Sequence, residues 1–296
     1  MNNAELYQKS NTLQKRDALQ CLEEYAKKIK WKNDGDTVID IGCGDGSVTT
    51  SVLTKFIPNN CKRLVGCDIS EKMVQFANEH HASDHTSFTV LDIEGDLPNE
   101  LRGNFDHAFS FYTLHWIKHQ ETAFSNIHGM LAKGGDCLLL FLGHMPVFDV
   151  YRILARTARW SFWLKDVDRF VSPYHDCQDP EKEIKRMMIS IGFSAVEVKC
   201  TEKSFIYTRA VTAVNPFKIP KELQEDFLDD YVKIVRDMQL IDHVNNNSDG
   251  PVSVRTNYNL IIAYGKNFIM NLNIYLDELN TIIYLKTYIV NFIVLC

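Results

Sequence analysis

The chain has 296 residues, 45% of them hydrophobic, which is enough apolar material for a sizeable core and too much for a disordered chain. Its formal net charge is −6, with lysines and arginines scattered among the acids rather than gathered in a stripe, so a nucleic acid is disfavoured as the main partner. The eight cysteines form no CxxC pair, and the polar N-terminus MNNAELYQKSNTLQKRD lacks the apolar stretch of a signal peptide; together these predict reduced thiols and a cytoplasmic location.

In chain order, apolar residues recur at helical spacing over residues 18–29, after capping candidates Ser10, Asn11 and Thr12. A helix therefore precedes the first strand. From Thr37 onward, short apolar runs alternate with helical stretches: TVIDIG, VTTSVLTKF, RLVGCDIS, EKMVQFANEH, SFTVLDI, FDHAFSFYTL, ETAFSNIHGML and GDCLLLFL. Strands alternating with helices predict a parallel sheet with crossover helices on both faces. Continuous apolar runs such as residues 137–142 fit strands buried on both sides. After Gly143 an aromatic and basic helical segment spans residues 147–170, read as an insertion covering the strand ends. A helix is expected over residues 182–190, closed by Gly192. Strands follow at 195–200, extending toward 207, and at 252–265, with an amphipathic helix at 221–240 between them. The expected fold is α/β, a Rossmann-like, mostly parallel seven-stranded sheet with helices on both faces and an α-helical cap. The expected division is one domain over 1–268: an N-terminal helical segment (1–30), a cofactor-binding core (31–143), the cap (144–191) and C-terminal strands and helix (192–268), followed by an atypical tail (269–296).

Residues 38–46, VIDIGCGDG, place glycines at 42, 44 and 46 where a buried strand meets a helix, permitting a tight turn and close approach of a ligand to the backbone. A dinucleotide fingerprint would need glycine at 42, 44 and 47, but position 47 is Ser, and Asp40 sits inside the strand. The spacing favours S-adenosylmethionine over a nicotinamide dinucleotide, since an acid beside the turn favours an ammonium and a sulfonium over a pyrophosphate. The second strand ends in Asp68, suited to accept both ribose hydroxyls. The third ends in Asp92, suited to the adenine amino group, with Ile69 or Ile93 packing on the ring. Each aspartate taken alone is more often a strand-end cap; three acids and a glycine turn in this order point to a ligand.

These motifs resemble those of the class I methyltransferases. Within them the stretches MNNAELYQKSNTLQKRDAL, DIGCGDGSVT, LVGCDIS, LDIEGDLP, FDHAFSFYTLHWI, GDCLLLFLGH, VDRFVSP and NPFKIP are similar to the insect juvenile hormone acid methyltransferase family, over roughly residues 1–268. The resemblance implies transfer of a methyl group from S-adenosylmethionine to an isoprenoid carboxylic acid, leaving S-adenosylhomocysteine. It implies that Gln14 and Trp116 hold the substrate carboxylate, whereas each alone reads as an ordinary helix-entrance or core residue. Arg16 is assigned to the cofactor's amino-acid carboxylate, its plainer reading being a solvated charge, and Ser110 is counted with Asp40, Gly42 and Gly44 on the cofactor side. Phe148, Tyr151, Trp160 and Trp163, with Phe170 and Tyr174, are expected to line a tunnel for a sesquiterpenoid chain, the alternative being that they pack the cap onto the sheet.

His115 and His119 have helical metal-pair spacing but no HExxH glutamate and no third ligand, so no metal is expected. Two features depart from the family pattern: a short connection at 205–215 and the tail. The first motivates a second hypothesis, a slow paralogue acting as a binding module. A third, a methyltransferase for another small acid, stays open, while a dehydrogenase on the same sheet is disfavoured by Ser47. The tail carries no charge-free run near the ~20 residues of a membrane span. It is expected to form a short helix at 272–285 docked on the domain or on a second copy, in a homodimer.

Overall fold

The computed structural model of the chain describes residues 11–207, 216–241 and 253–267. The tail at 269–296 and most of the 205–215 connection lie outside them.

The first helix, α1 (Thr12–Tyr25), is followed by β1 (Thr37–Ile41), α2 (Ser47–Ser51), β2 (Arg63–Asp68), α3 (Glu71–His81), β3 (Thr86–Val90) and β4 (Phe105–Phe111). Next come α4 (Gln120–Met130), β5 (Leu131–Leu142), α5 (Pro146–Ala155), α6 (Pro180–Ile191), β6 (Phe193–Tyr207), α7 (Gln224–Asp237) and β7 (Val254–Asn267). The strands form one sheet in the order β3-β2-β1-β4-β5-β7-β6. All pairs from β3 to β5 are parallel, and β7 runs antiparallel to both its neighbours. This is the expected mostly parallel, seven-stranded sheet.

Successive strand residues point to opposite faces, and both faces are covered. Val38, Leu64, Phe109, Leu138 and Leu260 enter a core with Leu22 of α1, Phe148 of α5 and Phe227 of α7. Their chain neighbours Ile39, Val65, Ala108, Leu139 and Ile261 enter another with Phe124 of α4 and Ile184 and Met188 of α6. A strand buried on both faces cannot alternate apolar with polar, which is why these runs read as continuous. Each of these side chains larger than alanine contributes about 1.5–3 kcal/mol by leaving water.

Helix ends follow local chemistry. Ser70 accepts the Met73 N–H to cap α3, Asp179 accepts the Lys182 N–H to start α6 with Pro180 in its first turn, and Gly192, at φ +117°, ends it. At α1 the structure departs from the sequence reading. The helix starts at Thr12, six residues before the expected apolar face, and ends at Tyr25, leaving Ile29 buried beyond it. Asn11 stands at its N-cap, but its amide donates instead to Ser47 Oγ at 2.8 Å, tying α1 to the start of α2. The expected helical segment at 147–170 is one helix, α5, followed by turns and a short 3-10 turn, Val167–Phe170.

Candidate active site

The strand order reverses between β1 and β4, because β1 continues to β2 on one side while β4 continues to β5 on the other. Loops leaving the carboxyl ends of two such strands diverge and open a crevice, the usual ligand site of an open α/β sheet. Here a cavity of about 320 Å³ lies at that place. Its lining includes Gly42 and Gly44 after β1, Asp68 and Ile69 after β2, and Tyr112, Thr113 and Trp116 after β4.

The glycine turn is built as the sequence suggests. Gly42, Gly44 and Gly46 have φ of +74°, +56° and +78°. At Gly42 a Cβ would stand 2.0 Å from Thr113 Oγ1, so the turn requires glycine there for both conformation and space. The Gly42 and Cys43 N–H groups donate to the Cys67 carbonyl, holding the loop over the end of β2. Asp68 accepts the Gly44 N–H at 3.0 Å on one oxygen and the Ser70 N–H at 2.8 Å on the other. Burial pushes its carboxyl up from the ordinary range, opposed by those two bonds. Each oxygen retains a lone pair for a ligand hydroxyl. The donor set fits an adenosyl group: a glycine turn and a carboxylate, with no basic side chain of β1, β2 or their loops facing the cavity to serve a phosphate.

Trp116, also lining the cavity, is half-buried in a 3-10 turn, Leu114–Trp116, with its ring edge-on to Phe148 at 6.1 Å. Its indole N–H has no hydrogen-bond partner among the described residues. His115 packs beside it at 4.6 Å, accepts the Leu142 N–H, and is kept neutral by burial down to about pH 3. Gln14, on α1, does not line this cavity, yet its buried amide oxygen has no partner. An unpaired buried acceptor of this kind is costly and calls for a donor.

Other expected residues are placed differently. Asp40 is fully buried beneath the turn, accepts the Thr49 hydroxyl at 2.6 Å, and is pushed up to about 7 by that burial. Ser110 is also buried, and its hydroxyl bonds the Ile41 carbonyl, clamping β1 to β4 below Gly42. Asp92 is exposed and caps its own loop through the Glu94 N–H, while Ile93 is buried in the core. Arg16 is directed away from the cavity: it pairs with Asp17 at 2.8 Å, donates to Tyr258 and the Ser204 carbonyl, and stacks on Phe205. Each of its three nitrogens already has a partner. The cap aromatics pack rather than line. Trp160 meets Phe227 edge-on and donates to Asp230 at 2.8 Å, Tyr151 packs on Phe217 and Tyr231, and Trp163 packs half-buried against the core. Of the six aromatics expected to line a tunnel, Phe170 reaches this cavity.

Sequence reading missed Tyr112, Thr113, Glu94, Lys118 and Arg169, all on the cavity wall. Tyr112 and Thr113 directly follow β4 at the crossover, a position a strand-end argument would have found. Tyr112 takes φ +59°, a conformation that costs a non-glycine residue about 1–3 kcal/mol, and its hydroxyl is held by buried Asp17 at 2.5 Å. Nothing in the residue type signals that. Among the described residues His144, Asp149 and His175 approach closely enough to share a metal ion. But His175 Nδ1 accepts the Met145 N–H, so the neutral ring carries its proton on Nε2, where it donates to Asp149 at 2.9 Å. A metal there would have to displace that proton from an already satisfied ring.

Comparison with known proteins agrees with this geometry. A family model described as a methyltransferase domain matches residues 39–137, from β1 through the start of the apolar run in β5. The chain is 58% identical to the juvenile hormone acid O-methyltransferase of Bombyx mori over 92% of this chain and all of the relative. It is 39% identical to the protein of that name from Drosophila melanogaster, over 90% of this chain and 92% of the relative. Among solved structures, the YcgJ protein of Bacillus subtilis superposes with a TM-score of 0.56 at 16% identity, covering 84% of this chain and 99% of the other, a likeness of fold alone.

Proposed function

The chain belongs to the juvenile hormone acid O-methyltransferase family, and from that premise we propose that it converts juvenile hormone acid or farnesoic acid to its methyl ester, with S-adenosylmethionine as methyl donor. The observation that carries this reading is that Gly44, Asp68 and Trp116 line one cavity at the carboxyl ends of β1, β2 and β4. When bound, the cofactor supplies a methyl group on a positively charged sulfur.

The protein's own task follows from the chemistry of the acceptor. A carboxylic acid is already ionised at neutral pH, so no side chain has to remove a proton. What remains is to hold the carboxylate in line and keep water out, and orientation of this kind supplies about 7–11 kcal/mol. Neutral donors suit that work because they orient the oxygens without protonating the nucleophile. Trp116 offers an indole N–H and Gln14 an amide, neither of them with its polar group spent elsewhere among the described residues. Asp68 accepts the ribose hydroxyls on its remaining lone pairs, and Ile69, 67% exposed at the cavity wall, offers an apolar face to the adenine ring. The acidic balance of the chain supports a small-molecule partner over a nucleic acid, and the free cysteines among the described residues support a cytoplasmic location. Among the described residues no helix is long and apolar enough to cross a membrane.

The test is turnover of purified protein with methyl-labelled S-adenosylmethionine against juvenile hormone acid, farnesoic acid and straight-chain fatty acids of similar length. Extractable methyl ester from the isoprenoid acids, and little from the fatty acids, is expected. Label retained by the protein without ester from any acid would replace this reading with that of a binding module.

A further inference from the structure

Four side chains of the charged types line the cavity: Asp68, Glu94, Lys118 and Arg169. Two of them, both carboxylates, already accept backbone N–H groups, and Lys118 has spent one of its three donors. Asp68 takes the Gly44 and Ser70 N–H groups, and Glu94 takes the N–H groups of Lys118 at 3.2 Å and His119 at 2.7 Å. The Lys118 ammonium donates to the Val171 carbonyl at 2.5 Å. Arg169 has no ion pair and no side-chain hydrogen bond among the described residues. Its neighbour Asp168 does not neutralise it, because that carboxylate pairs with Arg152 at 3.0 Å.

The backbone around Arg169 is fixed. It sits in the 3-10 turn Val167–Phe170, its N–H donates to the Asp166 carbonyl, and Phe170 packs edge-on against Phe217 at 5.2 Å. Lys118 ties this turn, through Val171, to the segment that carries Trp116. An exposed guanidinium with no partner among the described residues is thus held at a cavity that Trp116, Asp68 and the glycine turn also line.

We propose that Arg169 is the docking cation for the carboxylate of the acceptor acid, meeting it at the cavity rim before the neutral donors take it over. The inference rests on the reading of the chain as a carboxyl methyltransferase. A guanidinium stays charged at every physiological pH and presents a fork that matches a carboxylate. Being solvent-exposed, it acts on encounter and weak binding, and salt screens it. Methylation removes the charge it recognises, so Arg169 favours the acid over the neutral ester and helps the product leave.

The experiment is calorimetric titration of the adenosylhomocysteine-loaded protein with the acid and, separately, with its methyl ester, for wild type, Arg169→Gln and Arg169→Lys. Arg169→Gln should weaken acid binding at least fivefold and leave ester binding within twofold. Arg169→Lys, which keeps the charge, should lose less, and acid affinity should fall with added salt in wild type far more than in Arg169→Gln. Equal losses for acid and ester, or no loss for the acid, would overturn the assignment. So would a loss confined to adenosylhomocysteine, which would give Arg169 to the cofactor's carboxylate instead. In turnover the same change should appear in KM for the acid rather than in kcat. Because the titrations need no catalysis, a wild type that binds the acid without methylating it counts against the proposed reaction while the titrations still decide the role of Arg169.

Discussion

Asp68 and Trp116 illustrate how differently two residues of one site can be read. A carboxylate at the end of a second strand is by itself more often a cap, and Asp68 stood out because it belongs to a series of three acids with a glycine turn; it lines the cavity with two backbone bonds made and lone pairs to spare. Replacing it with Ala should weaken adenosylhomocysteine binding by roughly 1.5–3 kcal/mol, the worth of hydrogen bonds to a charged group; unchanged affinity by calorimetry would remove Asp68 from the ribose. Trp116 was legible through family resemblance, because a tryptophan after an apolar strand otherwise reads as core. Trp116→Phe and Gln14→Ala should each lower methyl transfer far more than cofactor affinity, and wild-type turnover in either would show that the residue does not orient the acid. With His115 neutral down to about 3, no ring beside Trp116 acts as a base near neutrality, so any change in saturated rate between pH 6 and 9 should trace to Asp40 beneath the glycine turn, which titrates near 7, and should vanish in Asp40→Asn. Arg16 shows the opposite case: its type suggested a partner for the cofactor's carboxylate, and the carboxylate it meets in the structure is that of neighbouring Asp17.

That ion pair explains why the sequence reading misplaced α1. The helix buries Leu13, Asp17, Ala18, Cys21, Leu22 and Tyr25, one face at helical spacing, but a charged residue in the second position of the series hides the period until Ala18. Asp17 tolerates burial because Tyr112 and Tyr258 each donate to it at 2.5 Å and Arg16 at 2.9 Å. The cluster joins α1 to β7 and to the strained residue at the cavity wall, so it couples element packing to the site. Tyr258→Phe removes one donor without changing ring volume and should cost about 1.5–3 kcal/mol in urea unfolding. An unchanged midpoint would mean that Tyr258 contributes only its ring. The cap was misread for a related reason: aromatic residues fit a tunnel and a packed interface equally well in sequence, and Trp160 finds its partners, Phe227 and Asp230, on α7, some seventy positions away.

At the scale of the whole molecule the sheet was readable because it is parallel through its centre, and the strand–helix alternation that such a sheet demands is visible at short range. The place of β7 between β5 and β6 was not, since that pairing joins segments more than a hundred residues apart. The same double-sided burial has a consequence for global stability. Asp40 lies in the central strand with no cation beside it, and desolvation lifts its carboxyl to about 7, against about 3.9 for an aspartate in an unfolded chain. Between those two values the folded protein holds a proton that the unfolded chain has released. Stability contributed through Asp40 is therefore full below about pH 4, falls as pH rises, and falls further until the folded carboxyl ionises near 7. His115 works in the other direction, since its folded form refuses a proton that the unfolded ring binds below about 6.5. Wild type alone would thus show a blunted profile, and the comparison with Asp40→Asn isolates the carboxyl. Asparagine keeps an oxygen for the Thr49 hydroxyl and never ionises. Urea unfolding at pH 5 and pH 8 should find Asp40→Asn gaining on wild type at the higher pH, by on the order of 1–4 kcal/mol for a shift of this size. A stability difference between the two proteins that is the same at both pH values would mean that Asp40 ionises as an ordinary surface aspartate does, and that the centre of the sheet is less dry than its packing implies.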